Sequence, residues 1–117
     1  MASNDPLTLL ENNDETVAVF IEAQTAGADL TAVTALEFVL KDSRCDPDDA
    51  DTNLILHTGI PAEMAWITQT ADLIEAEAYI PSEALAGAYP RWYRVDTLTA
   101  GGDRRTAVYG LVTVTDL

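Results

Sequence analysis

The chain has 117 residues, 48% of them hydrophobic, with twenty acids against six bases and a formal net charge of -14. That size fits one domain with one core and needs neither disulfides nor metal to hold it. So few cations disfavour nucleic-acid binding, because phosphate contacts need Lys and Arg, and no apolar run approaches the roughly 18 residues of a membrane span.

Residues 1–13 hold a short apolar patch, Leu7, Thr8, Leu9 and Leu10, between polar ends. This reads as an N-terminal arm or edge strand that orders against another chain, ahead of a domain over 14–117. The opening Met1-Ala2-Ser3-Asn4-Asp5-Pro6 lacks the basic and apolar regions of a signal peptide, so secretory export is not expected. Thr16 to Ala23 is a strand rich in β-branched and aromatic residues. Gly27-Ala28-Asp29 is a turn. In the next strand Leu36, Phe38 and Leu40 alternate with Glu37, Val39 and Lys41, which predicts one dry face and one wet face.

Asp42 to Asn53 is a polar loop with Asp46, Asp48, Asp49 and Asp51 as weak candidates for an irregular cation site. Read from Asp49 as an EF-hand it fails: Leu54 stands where Gly is needed and Ile60 where a bidentate Glu is needed. A solvated loop attracting monovalent or Ca²⁺ counterions is the plainer reading, and no cofactor is expected. Cys45, the sole cysteine, cannot form an intramolecular disulfide, and its acidic surroundings make it a poor nucleophile.

Leu54 to Thr58 and Ala65 to Thr70 read as short strands. Ile74, Ala76, Ala78 and Ile80 then share a dry face, with Glu75 and Glu77 turned to solvent. Pro81 to Leu85 forms a helical turn, closed by Gly87 in a left-handed conformation. Strands near Trp92–Leu98 and Thr106–Val114 flank a hairpin at Ala100-Gly101-Gly102-Asp103. The pattern predicts an all-β, immunoglobulin-like antiparallel sandwich of seven to eight strands with one short helical turn. An eight-stranded closed barrel is its structural rival.

Five segments carry a resemblance: Asp14-Glu15-Thr16-Val17, Ala28 to Asp42, Ile80-Pro81 to Gly87, Trp92-Tyr93-Arg94-Val95 and Gly110-Leu111-Val112-Thr113-Val114. Together they resemble the small β-sandwich modules of tailed-virus (phage-like) virion proteins. The N-terminal domain of baseplate upper proteins and related neck, fibre-attachment and tail-tip proteins are of this kind. The likeness runs over 14–117 and departs at Ala32, where the family carries glycine, and at the inserted Tyr89-Pro90-Arg91. It implies a virion component, made in the host cytoplasm, that docks in symmetric copies onto the tail, baseplate, neck or fibre base. Its partners would be other virion proteins and copies of itself, not nucleic acid or a membrane. Capsid decoration and carbohydrate binding during host attachment are the alternatives.

No enzyme is expected. His57 is the only histidine, and none of Ser3, Ser43 or Ser82 sits in a nucleophile elbow. Glu75 and Glu77 read as the wet face of a strand. The scattered acids fit a halophilic source, since dense salt screens carboxylates within a few Å; a DNA mimic and a partner of a basic surface are the rival readings of the same acidity. The candidate contact residues are Leu7, Leu9 and Leu10 on the arm, and Trp92 with Arg91, Arg94, Arg104 and Arg105, aromatics and arginines being enriched at hot spots.

Overall fold

A computed structural model describes residues 3–23, 29–42, 53–87 and 89–116. Among them are nine strands: β1 (Ser3–Asn4), β2 (Leu7–Leu10), β3 (Glu15–Glu22), β4 (Val33–Lys41), β5 (Leu54–His57), β6 (Met64–Gln69), β7 (Leu73–Ile80), β8 (Arg91–Thr99) and β9 (Arg104–Thr115). Two 3-10 turns complete the set, Leu30–Ala32 and Ser82–Leu85, one more than the alternation pattern predicted. The first is capped by Asp29, whose Oδ1 accepts from the Thr31 backbone N–H at 3.0 Å. These bonds with Thr31 hold the Asp29 carboxyl below its usual range.

The strands form two sheets. One runs β1–β9–β8–β4–β5 with β2 also on β9, and the other runs β3–β7–β6. With β2 as strand A and β3 to β9 as B, C, C′, D, E, F and G, the sheets read A-G-F-C-C′ and B-E-D. That is an immunoglobulin-like sandwich rather than a closed barrel. The segments β1 and β2 are two halves of one edge strand, divided at Asp5-Pro6, which accounts for a ninth strand.

Period-two alternation explains the core. Val17, Val19 and Ile21 of β3 and Ile74, Ala76, Ala78 and Ile80 of β7 are buried, and they pack with Leu36, Phe38 and Leu40 of β4 and Tyr93 and Val95 of β8. The Phe38 and Tyr93 rings stack with centroids 5.4 Å apart. Leu85, from the second 3-10 turn, is fully buried among them. Its carbonyl accepts from the Asn12 backbone N–H at 3.1 Å, and Asn12 sits at φ 60, in the left-handed region that Asn tolerates. The chain thereby crosses from one sheet to the other between β2 and β3.

Two expectations need correction. Residues 3–10 do not wait for another chain: β1 and β2 pair with β9 of the same chain, and they run parallel to it. A parallel pair needs a long crossover, and here the rest of the domain supplies it. Gly110 permits the close approach, because a Cβ there would lie 2.7 Å from the Asp5 carbonyl oxygen. The Tyr93 hydroxyl donates to that same oxygen, pinning the arm at its break. Second, the face of β4 opposite the core is not uniformly wet, since Val39 is only 1% exposed.

Candidate interaction surface

The outward face of the larger sheet gathers what functional chemistry the described residues hold. Register places its side chains in three rows. His57, Glu37, Asp96 and Thr106 lie across β5, β4, β8 and β9; Ile55, Val39, Arg94 and Tyr109 form the next row; Lys41, Trp92 and Leu111 form the third. A register shift between Val95 and Asp96, opposite Val108 and Thr106, places an extra residue in β9. Such a bulge re-aims side chains, and here it lets Thr106 and Arg104 both reach Asp96.

The first row is an ion network. Asp96, 1% exposed, accepts from Arg94 Nε at 3.2 and 3.0 Å, from Arg104 Nη1 at 2.9 Å and from Thr106 Oγ1 at 2.9 Å. Arg104 also meets Glu37 bidentately, Nη1 to Oε1 at 2.9 Å and Nη2 to Oε2 at 3.1 Å. The carboxylates of Glu37, first, and Asp96, second, push the Arg104 guanidinium well above its ordinary range, so it stays charged. His57 Nδ1 lies 3.5 Å from Glu37 Oε2. A buried carboxylate is tolerable only when its lone pairs are used, and each of these partners uses one.

Beside the network lies a groove of about 160 Å³ lined by Val39, Lys41, Trp92, Arg94, Thr106 and Tyr109. Long side chains around it shield Val39, which is why an apolar residue survives on an outward face. Tyr109 and Leu111 remain 38% and 36% exposed. Among the described residues, the three rows carry Lys41, Arg94 and Arg104 against Glu37 and Asp96, with the Glu63 carboxylate accepting from the His57 N–H at their edge, on a chain of net charge -14.

The contact residues expected from sequence are therefore only partly together. Trp92, Arg94 and Arg104 share this face, with Trp92 half-buried. Arg105 is exposed at the start of β9. Arg91 is a correction: it is 2% exposed and cannot serve a partner. Its guanidinium donates to the carbonyls of Ala86 at 2.6 Å, Gly87 at 2.9 Å and Tyr89 at 3.0 Å, and stacks 3.9 Å over the Tyr89 ring. Its Nε faces Asp42 Oδ1 at 3.8 Å. Arg91 clamps the loop after the second 3-10 turn, and Gly87, at φ 94, is needed there. Leu9 is a second correction, buried in the core at 6% exposure, while Leu7 packs against it and Leu10 is half-buried. Asp46, Asp48, Asp49 and Asp51 lie outside the described residues; among those described, no three His, Cys, Asp or Glu side chains converge to hold a metal.

Sequence reasoning missed Asp96 and Tyr109 as members of this face, and placed Glu37 on the outward side of its strand without naming its partner. A signal existed for the first: Arg94 and Asp96 stand two apart on a strand and so share a side. Nothing local marked the pairing of Glu37, whose partner Arg104 is remote in sequence. No protein-family model and no curated protein matches this chain.

Proposed function

We propose that this chain is a non-enzymatic structural component of a tailed-virus virion. It would be an adaptor of the tail, baseplate, neck or fibre base that assembles with other virion proteins and with copies of itself. One observation supports the docking role best: Lys41, Arg94 and Arg104 gather around Trp92 and Tyr109 on one rigid sheet face of an otherwise acidic protein. The virion setting comes from the family resemblance of 14–117.

The mechanism is geometric. The Asp96–Arg94–Arg104–Glu37 network holds two guanidiniums in fixed orientation, so little side-chain entropy is lost when a neighbour's carboxylate meets them. Trp92 and Tyr109 supply rigid apolar area beside them. Long-range repulsion between acidic bodies keeps unassembled copies apart, and only a neighbour placing acids against this face gains attraction.

The test is particle incorporation. Lys41→Glu reverses the sign of the face at the groove and should cut the copies per purified particle several-fold, counted by quantitative mass spectrometry, while the isolated variant stays folded. Absence of the wild-type chain from purified particles would overturn the proposal. A carbohydrate module is the weaker reading, because the groove beside Trp92, the aromatic it would use, holds only about 160 Å³, below the ~300–1,000 Å³ common for ligand sites. Glycan-array binding that Trp92→Ala abolishes would reverse that ranking.

A further inference from the structure

Four strand edges bound the two sheets, and three carry the protections that stop a strand from recruiting another. The edge strand β5 is four residues long. Strand β6 has a register shift between Trp66 and Thr68 that spoils a regular ladder. The β1–β2 edge is broken at Asp5-Pro6. Short length, bulges and proline all blunt an edge.

Strand β3 has none of these. Its eight residues pair with β7 in unbroken register from Glu15↔Ile80 to Glu22↔Leu73. Beyond the strand the same register continues, with the Ala23 N–H donating to Asp72 O at 3.0 Å. Antiparallel pairs alternate between bonded and non-bonded positions. Val17, Val19 and Ile21 therefore bond to β7, whereas Thr16, Ala18 and Phe20 turn their N–H and C=O groups away from it. No described strand takes up those groups. All three residues are exposed, Phe20 at 54%. Among the described strands this edge is unpaired because the N-terminal strand, which could have lain beside β3, is committed to β9.

A groove of about 300 Å³ opens along this edge. Leu7, Val17, Val19, Tyr93, Val95 and Val108 line it, so it reaches the core between the two sheets. The surroundings are acidic. Asp5 stands at the groove, Glu22 ends the strand, and Glu75 and Glu77 lie across from Phe20 and Ala18 on β7.

We propose that β3 is a strand-acceptor site for an extended segment of a partner chain, apolar at alternate positions and bearing Lys or Arg at the others. Its backbone adds a fourth strand to the smaller sheet through Thr16, Ala18 and Phe20. Apolar side chains on one side enter the groove, and those on the other cross β3 toward Glu22, Glu75 and Glu77. Main-chain bonds supply affinity and alternate pockets supply selectivity, as in other strand additions. A second copy of this chain is the poorer occupant, because two bodies of charge -14 repel. The inference deepens the assembly role proposed above by naming a second docking element. Peptide binding is read on the isolated chain and incorporation on particles, so either can fail alone.

The probe is a capped octapeptide of alternating valine and lysine. Binding is followed by fluorescence anisotropy and by NMR amide exchange. Exchange at Thr16, Ala18 and Phe20 should slow at least tenfold, with Val17 and Val19 little changed. Ala18→Pro removes an outward N–H but none of the bonds to β7, and should weaken binding at least tenfold. Ala18→Lys, which adds a like charge and leaves the backbone intact, should do the same and covers the case of a proline variant that does not fold. Three results would overturn the proposal. They are equal binding of a lysine peptide with proline at alternate positions, protection of amides elsewhere, and a wild-type dimer that Ala18→Pro abolishes.

Discussion

The two sheets of this sandwich treat their polar groups in opposite ways. On the outward face of the larger sheet, charged side chains are consumed by one another, and Asp96 alone accepts from three partners. On the smaller sheet the outward N–H and C=O groups of β3 meet no described strand along a regular edge. One region is a finished surface that presents fixed charge. The other is an unfinished ladder that another strand can extend. The two regions offer a partner different things: one offers charges already held in place by their own hydrogen bonds, the other backbone groups that a strand can still bond.

The contrast is broken most directly at Asp96. Asp96→Ala removes the buried acceptor that Arg94, Arg104 and Thr106 share, and should cost roughly 1.5–3 kcal/mol in urea unfolding, the range for hydrogen bonds to a charged group. A cost below about 0.5 kcal/mol would mean the network is ornamental, like most surface ion pairs. Gly110→Ala comes next. Its Cβ collides with the Asp5 carbonyl, so it should cost roughly 1–3 kcal/mol, typical of overpacking, and expose the amides of β1 and β2 to exchange.

A pH titration sharpens the same point at the arm. Burial, and then the nearby Asp5 charge, push the Tyr93 hydroxyl up to about 12 from 10.0. The folded state therefore holds this proton more tightly than the unfolded one. Its contribution is complete below pH 10 and lost as pH rises from 10 toward about 12. Tyr93→Phe should flatten that decline, measured as the denaturant midpoint against pH; an unchanged slope would assign the decline to other groups. The smallest effect is expected at the open edge. Phe20→Ser should change stability by no more than about 0.5 kcal/mol, as for an unengaged surface position. A larger loss would show that Phe20 packs within its own chain, and would close the edge as a site.

Much of the fold was legible because alternation is a local property. Val17, Val19 and Ile21, or Ile74, Ala76, Ala78 and Ile80, declare a buried face within a few residues of chain. Gly87 and the Gly101-Gly102 hairpin likewise announce turns, with Gly87 at φ 94 and Gly102 at φ 89. The candidate surface was harder to see. Trp92, Arg94 and Arg104 were visible as residue types, yet Arg91, their neighbour, belongs to the interior. Strand parity puts Arg91 on the side of Tyr93 and Val95, and its guanidinium finds three carbonyls in the adjoining loop.

From the order of residues alone came the all-β class, the inward set of each strand and the excess of acid, since each depends only on composition or on neighbours two places apart. The folded arrangement alone decided that Glu37 meets Arg104, that the arm lies on β9, and that no described strand flanks β3 on one side. These are pairings between segments distant in the chain. Their energies depend on which strands come to lie side by side and in what register, and no short window of sequence carries that choice.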